Sequence, residues 1–416
     1  MAGLSALFSL QIVIGDYSPH LYTSLMGLFR AILVILFSAI FFYVSHQLLR
    51  LSGLGLGTTL GVLLFLAAVF GLVLAMPLYL MTESRTKPAP WHDSLFSASH
   101  FALAYINFLA TLVILRDIFS FAAEFFISIP PLWLQTAVLY GPSALGLMLL
   151  APLFLILLGT ITVRMGPRLK KKKLHFSQLP AAWNGLRILH ITDLHIGTTL
   201  PLAFVEKLTK LVHATKPDLI VYTGDILDGH AERHLAELEL LRSLHPPLGS
   251  FYVTGNHEYY WHSDQALKAF RSLGFQVLVN QTATLSRGND LLQISGVPDP
   301  AAISFGMDGP DLRKLQHEFH SHSFRLLLSH QPSLALQASA AGFHLQLSGH
   351  THGGQFFPWN FLIGLFQKYP KGLYKVKDLI LYVNQGTGYW GPSLRLGTYC
   401  EVTELTLITN SKLSEI

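Results

Sequence analysis

Charged residues are scarce in this chain of 416 residues, where Asp, Glu, Lys and Arg make up 13% and hydrophobic residues 51%. Soluble globular proteins contain about 25% charged residues. The shortage is local, because Arg50 is the only formal charge from Ala31 to Leu80, and Phe101–Val163 carries only three. Buried core helices of a soluble fold do not fit so few charges, so part of the chain is expected to lie in lipid.

Cysteine is nearly absent as well, since Cys400 is the only one. The sequence therefore contains no disulfide framework that would place the protein in an oxidising compartment. From about Asn184 onward the composition is that of a soluble domain and includes most of the histidines. That part is long enough to form one sizeable core.

Long apolar runs dominate the first part of the chain. A transmembrane helix needs about 20 apolar residues, and four runs are predicted to span a membrane: residues 21–44, 56–80, 98–115 and 132–158. Residues 3–15 are apolar but too short to assign, so a fifth span stays open. Residues 118–129 are predicted to form an interfacial helix.

Basic residues predict the orientation of these spans. Six of them fall in the ten residues Arg164–Lys173 ("RMGPRLKKKK"), and the loop after the second span adds Arg85 and Lys87. Because positive loops stay inside, the N-terminus and the large domain are expected to be cytoplasmic. The basic run could bind nucleic acid, but its place beside a span favours anionic lipid, and no nucleic-acid partner is expected. The predicted division is a membrane region 1–175, a linker 176–185 and a domain 186–416.

Beyond the linker, short apolar runs repeatedly end in polar residues. Their length and residue types predict strands, helix-like stretches separate them, and this alternation predicts an α/β fold. Ligands of such sheets bind beyond the carboxyl ends of the strands, so the polar ends should meet at one edge. These residues are Asp193, His195, Asp225, Asp228, Asn256, His257, His330, His350 and His352.

The order of these motifs resembles the calcineurin-like metallophosphoesterase superfamily, whose pattern is D-x-H, G-D, G-N-H-[DE], a lone His and G-H-x-H. "GNHEYY", "SHQP" and "SGHTHGGQ" are similar to the branch of transmembrane proteins with a metallophosphoesterase domain and to bacterial membrane-associated phosphodiesterases. The resemblance implies a four-layer αββα domain with mixed sheets. It also implies two divalent metal ions.

The resemblance also implies a role for each residue. One metal would be held by Asp193, His195 and His352, the other by Asn256, His330 and His350, and Asp225 would bridge both. His257 would protonate the leaving oxygen. Pro298 stands where the branch often has an acidic residue, which leaves any role of Asp299 open, and Glu258 fits the motif without an assigned chemistry.

The chemistry of the donor set agrees with this assignment. Oxygen and imidazole ligands without thiolate suit Mn, Zn or Fe, and two ions about 4 Å apart can hold both the attacking and the leaving oxygen of a displacement. Asp228 would either orient a site residue or cap the following helix. Arg395 would either contact a substrate phosphate or form a structural salt bridge. The histidine-rich residues 317–322 are expected to be a solvated face.

Residues 357–374 form an apolar and aromatic stretch after His352, flanked by Lys368 and Lys371. It is either a buried loop or an apolar lip that admits a lipid tail. The predicted function is hydrolysis of a phosphodiester or pyrophosphate bond by a membrane-anchored enzyme. The membrane anchor and the apolar lip would suit a lipid-linked substrate. The alternatives are a transporter or receptor regulated by this domain, and a scaffold that binds metal without turnover.

Overall fold

The computed structural model describes residues 19–50, 55–83, 91–126, 141–261 and 263–410. The chain divides into two compact units. One contains the N-terminal helices up to Ile161, and the other contains Thr162–Trp390 together with the chain from Leu394 onward. Each unit is described by itself.

The first unit is helical. Its long helices are α1 (Pro19–Arg50), α2 (Leu56–Glu83), α3 (His92–Phe126) and α4 (Pro142–Arg164). Among the described residues, three segments are long and apolar enough to cross a membrane, namely Leu56–Ala75, His92–Ala123 and Pro142–Arg164. Within α1 the apolar segment Val34–Arg50 is shorter, so the first predicted span stays a prediction.

The helices differ from the predicted runs at their ends. Residues 118–126 continue α3 and do not form a separate interfacial helix. Helix α4 extends to Arg164, beyond the predicted end of the fourth span. Residues 3–15, 127–140 and the loop with Arg85 and Lys87 lie outside the described residues, so the fifth span and the orientation rule stay predictions.

The second unit contains two mixed sheets, as predicted. Within the described residues the first sheet has the order β1-β12-β2-β3-β4-β5 and the second β10-β11-β9-β8-β7-β6. The strands are β1 (Arg168–Phe176), β2 (Arg187–Ile191), β3 (Leu219–Thr223), β4 (Ser250–Val253), β5 (Gln276–Val277), β6 (Gln281–Arg287), β7 (Asp290–Gly296), β8 (Phe324–Leu328), β9 (Leu345–Ser348), β10 (Gly372–Val376), β11 (Leu379–Val383) and β12 (Glu401–Thr409). β2 to β5 are mutually parallel, and so are β7, β8, β9 and β11.

The two sheets pack face to face through apolar side chains. Val221 and Phe251 of the first sheet belong to the same buried cluster as Ile294 and Leu326 of the second. The outer face of the first sheet is covered by α5 (Leu202–Thr215), α6 (Leu235–Arg242) and α8 (Ser263–Ser272). The outer face of the second is covered by α9 (Leu312–Gln316) and α10 (Ala335–Ala340). This is the predicted four-layer arrangement of helix, sheet, sheet and helix.

The basic run belongs to a strand. Arg168–Phe176 forms β1, which pairs in parallel with β12 at the edge of the first sheet. Lysines are common on edge strands because they discourage pairing with another chain. The sheet therefore includes residues that the predicted division assigned to the membrane region and the linker, and the boundary at residue 186 stays a prediction.

Candidate metal centre

Each predicted ligand follows the carboxyl end of a strand. Asp193 and His195 follow β2, Asp225 follows β3, and Asn256 opens the short helix α7 (Asn256–Tyr260) after β4. In the second sheet, His330 follows β8, and His350 and His352 follow β9. The two sheets thus contribute to one site, which is the arrangement that the strand-end pattern predicts.

The loops that carry these residues have unusual backbone angles. Five of the seven predicted ligands have φ between 50° and 73°: Asp193, His195, Asp225, His350 and His352. A left-handed conformation of a residue other than glycine costs of the order of 1 kcal/mol or more, and such residues cluster at functional sites. The surrounding hydrogen bonds hold the loops in place, since both carboxylate oxygens of Asp193 accept the backbone N–H of His350 at 2.9 and 3.0 Å.

The first predicted ligand group is compact. His195 Nε2 lies 3.0 Å from His352 Nε2, and His352 Nε2 lies 3.4 Å from Asp193 Oδ1. Potential ligand atoms of these three residues all lie within 4.8 Å of one another. The three residues could therefore hold one ion.

The second predicted ligand group is equally compact. His350 Nδ1 lies 3.1 Å from Asn256 Oδ1 and 3.2 Å from His330 Nε2. His330 Nε2 in turn lies 3.2 Å from Asn256 Oδ1. The other nitrogen of His330, Nδ1, contacts the carbonyl of Thr223 at 2.7 Å, which orients the ring so that Nε2 is the nitrogen that faces Asn256 and His350.

Asp225 lies between the two groups. Its Oδ2 is 3.2 Å from His330 Nε2 and 3.8 Å from His195 Nε2. Burial alone would raise the pKa of Asp225, but the charges of His330, His257 and His195 hold it well below its usual range. The carboxylate is therefore ionised and faces both groups, as a bridging ligand requires.

The residues present fit a pair of cations. Ring nitrogens and an amide oxygen that approach one another at 3.0–3.2 Å repel unless a proton or a cation lies between them. Burial and the nearby His330 lower the pKa of His350 to about 3, and burial together with His195 and Arg395 holds the pKa of His352 well below its usual value. Both rings are thus neutral, the form in which imidazole binds metals.

His257 is held by Asp228. His257 Nδ1 lies 2.9 Å from Asp228 Oδ1, the same oxygen accepts the indole N–H of Trp261 at 2.8 Å, and Asp228 Oδ2 lies 3.3 Å from His195 Nδ1. Burial lowers the pKa of His257, but Asp228 and Asp225 raise it to about 9. Of the two roles left open for Asp228, orientation of site residues agrees with these contacts. The cap does not, since the following 3-10 helix begins after His230 without a side-chain cap.

Glu258 has a function that the sequence did not reveal. Its carboxylate accepts four backbone N–H groups, from Asp225 (3.0 Å), Ile226 (2.8 Å), Leu227 (3.1 Å) and Gly255 (2.7 Å). Glu258 is 1% exposed. It therefore joins the loop after β3 to the loop after β4, and so positions Asp225 against Asn256.

The structure also shows the surroundings of Arg395, Asp299 and residues 317–322. Arg395 is fully buried and donates to the carbonyls of Gly388 and Gln385, and its Nη2 lies 3.2 Å from Nδ1 of His352. It therefore contacts a predicted ligand, and its role toward a substrate phosphate stays a prediction. Asp299 is buried and caps the 3-10 helix Pro300–Phe305 by accepting the N–H of Ala301. Residues 317–322 contribute to none of the potential metal-binding clusters in the described part of the chain.

The geometry and the motif order are those of a known class of enzymes. The sequence profile of calcineurin-like phosphoesterases matches residues 186–354. The chain belongs to the calcineurin-like phosphoesterase family, whose members use a dinuclear metal site. It is 32% identical to the uncharacterised metallophosphoesterase YkuE of Bacillus subtilis over 56% of this chain and 82% of that one.

Two further relatives are similar over about the same share of this chain. The chain is 36% identical to an uncharacterised metallophosphoesterase of Campylobacter jejuni, over 55% of this chain and 61% of that one. It is 31% identical to a transmembrane protein with metallophosphoesterase domain of Danio rerio, over 60% of this chain and 59% of that one. The match thus spans about three fifths of the length of these two relatives. The resemblance inferred from the motifs is confirmed.

Proposed function

We propose that this chain is a membrane-anchored phosphoesterase that hydrolyses a phosphodiester or pyrophosphate bond with two divalent cations, manganese, zinc or iron. The observation that carries the proposal is the buried carboxylate of Asp225, which faces His330 at 3.2 Å and His195 at 3.8 Å. Asp193, His195 and His352 would hold one cation, and Asn256, His330 and His350 the other. Asp225 would bridge them.

The chain's own residues account for the remaining steps. When bound, the cations supply Lewis-acid activation of the phosphoryl group and of the attacking water. Asp228 fixes the ring of His257 through Nδ1, so Nε2 is the nitrogen that can give a proton to the leaving oxygen. Glu258 keeps Asp225 in register with Asn256 through its four N–H contacts.

Turnover of bis(p-nitrophenyl) phosphate by the purified full-length protein, with added manganese, tests the proposal. Asp225→Asn should abolish turnover and lower the metal content, because it weakens the ligand shared by both groups. His257→Ala should lower kcat by about 10²–10⁴-fold, the usual contribution of a general acid, while the metal content stays at two ions per chain.

The exposed Asp264 offers a matched control, and Asp264→Asn should keep the parent rate and metal content. A parent protein that binds two metal ions but turns over no phosphoester would support the scaffold alternative. A parent protein that contains no transition metal after purification and manganese loading would contradict the proposed function.

A lipid-linked substrate is the finer part of the proposal. The helix α11 (Trp359–Leu362) and the 3-10 turn Ile363–Leu365 have no buried residue, and Phe361, Leu365 and Phe366 are 74, 78 and 54% exposed. The buried-loop alternative therefore fails for these side chains. An exposed apolar patch that follows a ligand loop in a chain with membrane-type helices supports contact with a lipid tail.

The double variant Phe361→Ser, Phe366→Ser tests the lipid link. Each exposed ring could contribute about 1.5–3 kcal/mol on contact with an acyl chain. Hydrolysis of a lipid phosphodiester should therefore fall at least about tenfold, and that of a small soluble diester should stay within about twofold. An equal loss with both substrates would contradict the lipid link.

A cytoplasmic location of the catalytic unit is also proposed, on the basis of the basic residues near the spans. Leu336 on α10 is exposed, and the native Cys400 is buried. A cysteine at position 336 should react with a membrane-impermeant thiol reagent only after the cells are opened. Reaction in intact cells would reverse the assignment.

A further inference from the structure

Two aromatic rings flank His257, and a third packs against one of them. The ring centroid of Tyr260 lies 5.1 Å from that of His257, and the centroid of Trp390 lies 5.5 Å from it. Phe305 extends this surface, since its centroid lies 6.1 Å from that of Tyr260. We call Tyr260, Phe305 and Trp390 the aromatic face.

Two of the three rings of this face end short helices, one of which carries the predicted ligand Asn256. Tyr260 ends α7, the helix opened by "GNHEYY", and Phe305 ends the 3-10 helix Pro300–Phe305, which begins at the last residue of "GVPDP". The two short helices pack through a small buried cluster of Tyr259, Ala301 and Ala302. Tyr260 and Phe305 are therefore held on two helices that pack together, one of which carries His257.

Hydrogen bonds fix the 3-10 helix further. Asp299 caps it through Ala301, and the backbone N–H of Asp299 donates to Thr254 Oγ1, which also bonds the hydroxyl of Tyr259 at 2.9 Å. These contacts anchor the helix without covering its end. Tyr260 and Phe305 remain 38 and 42% exposed, and apolar rings held rigidly in a half-exposed position beside a reactive group are suited to contact a ligand.

We propose that the aromatic face is the leaving-group subsite and that it favours leaving groups with a flat, uncharged ring. The inference rests on the proposed function. Water adds to phosphorus and loses one proton to solvent, the bond from phosphorus to the leaving oxygen breaks with its electron pair, and His257 gives its Nε2 proton to that oxygen. The group attached to this oxygen must then lie beside His257, where Tyr260 and Trp390 flank the ring.

A pair of phosphocholine diesters tests the subsite, because they share the retained group. The leaving group of p-nitrophenylphosphocholine is a flat ring, and that of glycerophosphocholine is a polar alcohol. Phe305→Ser should lower kcat/KM for the aryl diester about fivefold through KM, since one aromatic contact contributes about 1 kcal/mol. The same variant should change kcat/KM for the glyceryl diester by less than about twofold.

Two further variants separate contact from folding. Phe305→Tyr keeps the ring and should retain the parent's preference for the aryl diester. Leu336→Ser removes an exposed apolar side chain on α10 and should change neither rate. Equal losses of Phe305→Ser with both diesters, or no loss with either, would overturn the subsite. A parent protein that hydrolyses bis(p-nitrophenyl) phosphate but neither phosphocholine diester would overturn the subsite alone, and a parent protein that hydrolyses none of the three would refute the proposed function.

Discussion

Because the carboxylate of Glu258 accepts four backbone N–H groups, we expect Glu258→Gln to destabilise the fold. Oε2 accepts the N–H groups of Asp225 and Gly255, and Oε1 those of Ile226 and Leu227. In glutamine one of these oxygens becomes an NH₂ group, which is itself a donor. Whichever way the amide points, two buried N–H groups then face a donor and lose their acceptor.

The size of the effect follows from this count. A buried donor without a partner costs about 1–3 kcal/mol, so the free energy of unfolding should fall by about 2–6 kcal/mol. The measurement is denaturant unfolding of the full-length protein in detergent, followed by tryptophan fluorescence. It is made with EDTA present, so that metal release cannot account for the loss of stability.

Glu239→Gln is the matched control, because the side chain of Glu239 is 59% exposed and its contact with Arg242 at the surface contributes little. It should change the free energy of unfolding by less than about 0.5 kcal/mol. If Glu258→Gln is as stable as Glu239→Gln in EDTA, the reasoning about the four contacts is refuted.

Three further predictions concern other parts of the site and the core. Asp228→Asn should lower kcat/KM about 10–100-fold in steady-state assays with saturating manganese, and a parent-like rate would contradict the orienting role of Asp228. Burial lowers the pKa of His190 to about 3. Below about pH 6.5 the imidazole of His190 is therefore protonated only in the unfolded state, and the free energy of unfolding decreases as the pH is lowered. Between pH 7.5 and 5 the parent should lose about 2 kcal/mol more stability than His190→Gln, and parallel pH profiles of the melting temperature would show that His190 does not contribute. A Cβ at position 349 would overlap the Asp193 carboxylate and the Thr192 hydroxyl, whereas a Cβ at position 364 meets nothing within 4 Å. Elemental analysis should therefore find less bound metal in Gly349→Ala and an unchanged metal content in Gly364→Ala. Equal metal contents in the two variants would contradict the steric argument.

The ligand positions could be predicted because each follows an apolar strand. Parallel strands bring their carboxyl ends to one edge, so the order of the motifs alone predicted that Asp193, Asp225 and His330 would meet. That these residues bind metal stays a prediction, since their geometry is compatible with two cations and does not identify them.

The other features depend on contacts between segments far apart in the chain. Glu258 acts on the backbone of Asp225 and Leu227, and backbone N–H groups carry no sequence signal. The basic run was not predicted to be a strand, since its parallel pairing of Arg168 with Glu401 joins residues more than 230 positions apart, and its contact with anionic lipid stays a prediction. The aromatic face likewise joins Tyr260 to Phe305, which neither periodicity nor motif spacing connects.

If the predicted ligands bind metal, their division between the two sheets would affect how long the protein persists in the cell. Ions held by Asp193 and Asp225 on one side and by His330 and His350 on the other would couple the two halves of the sandwich, and a ligand that binds only the folded state stabilises it by mass action. Depletion of the metal would then expose both halves to proteases together. The supply of metal in the compartment would thus govern the abundance of the protein as well as its turnover rate.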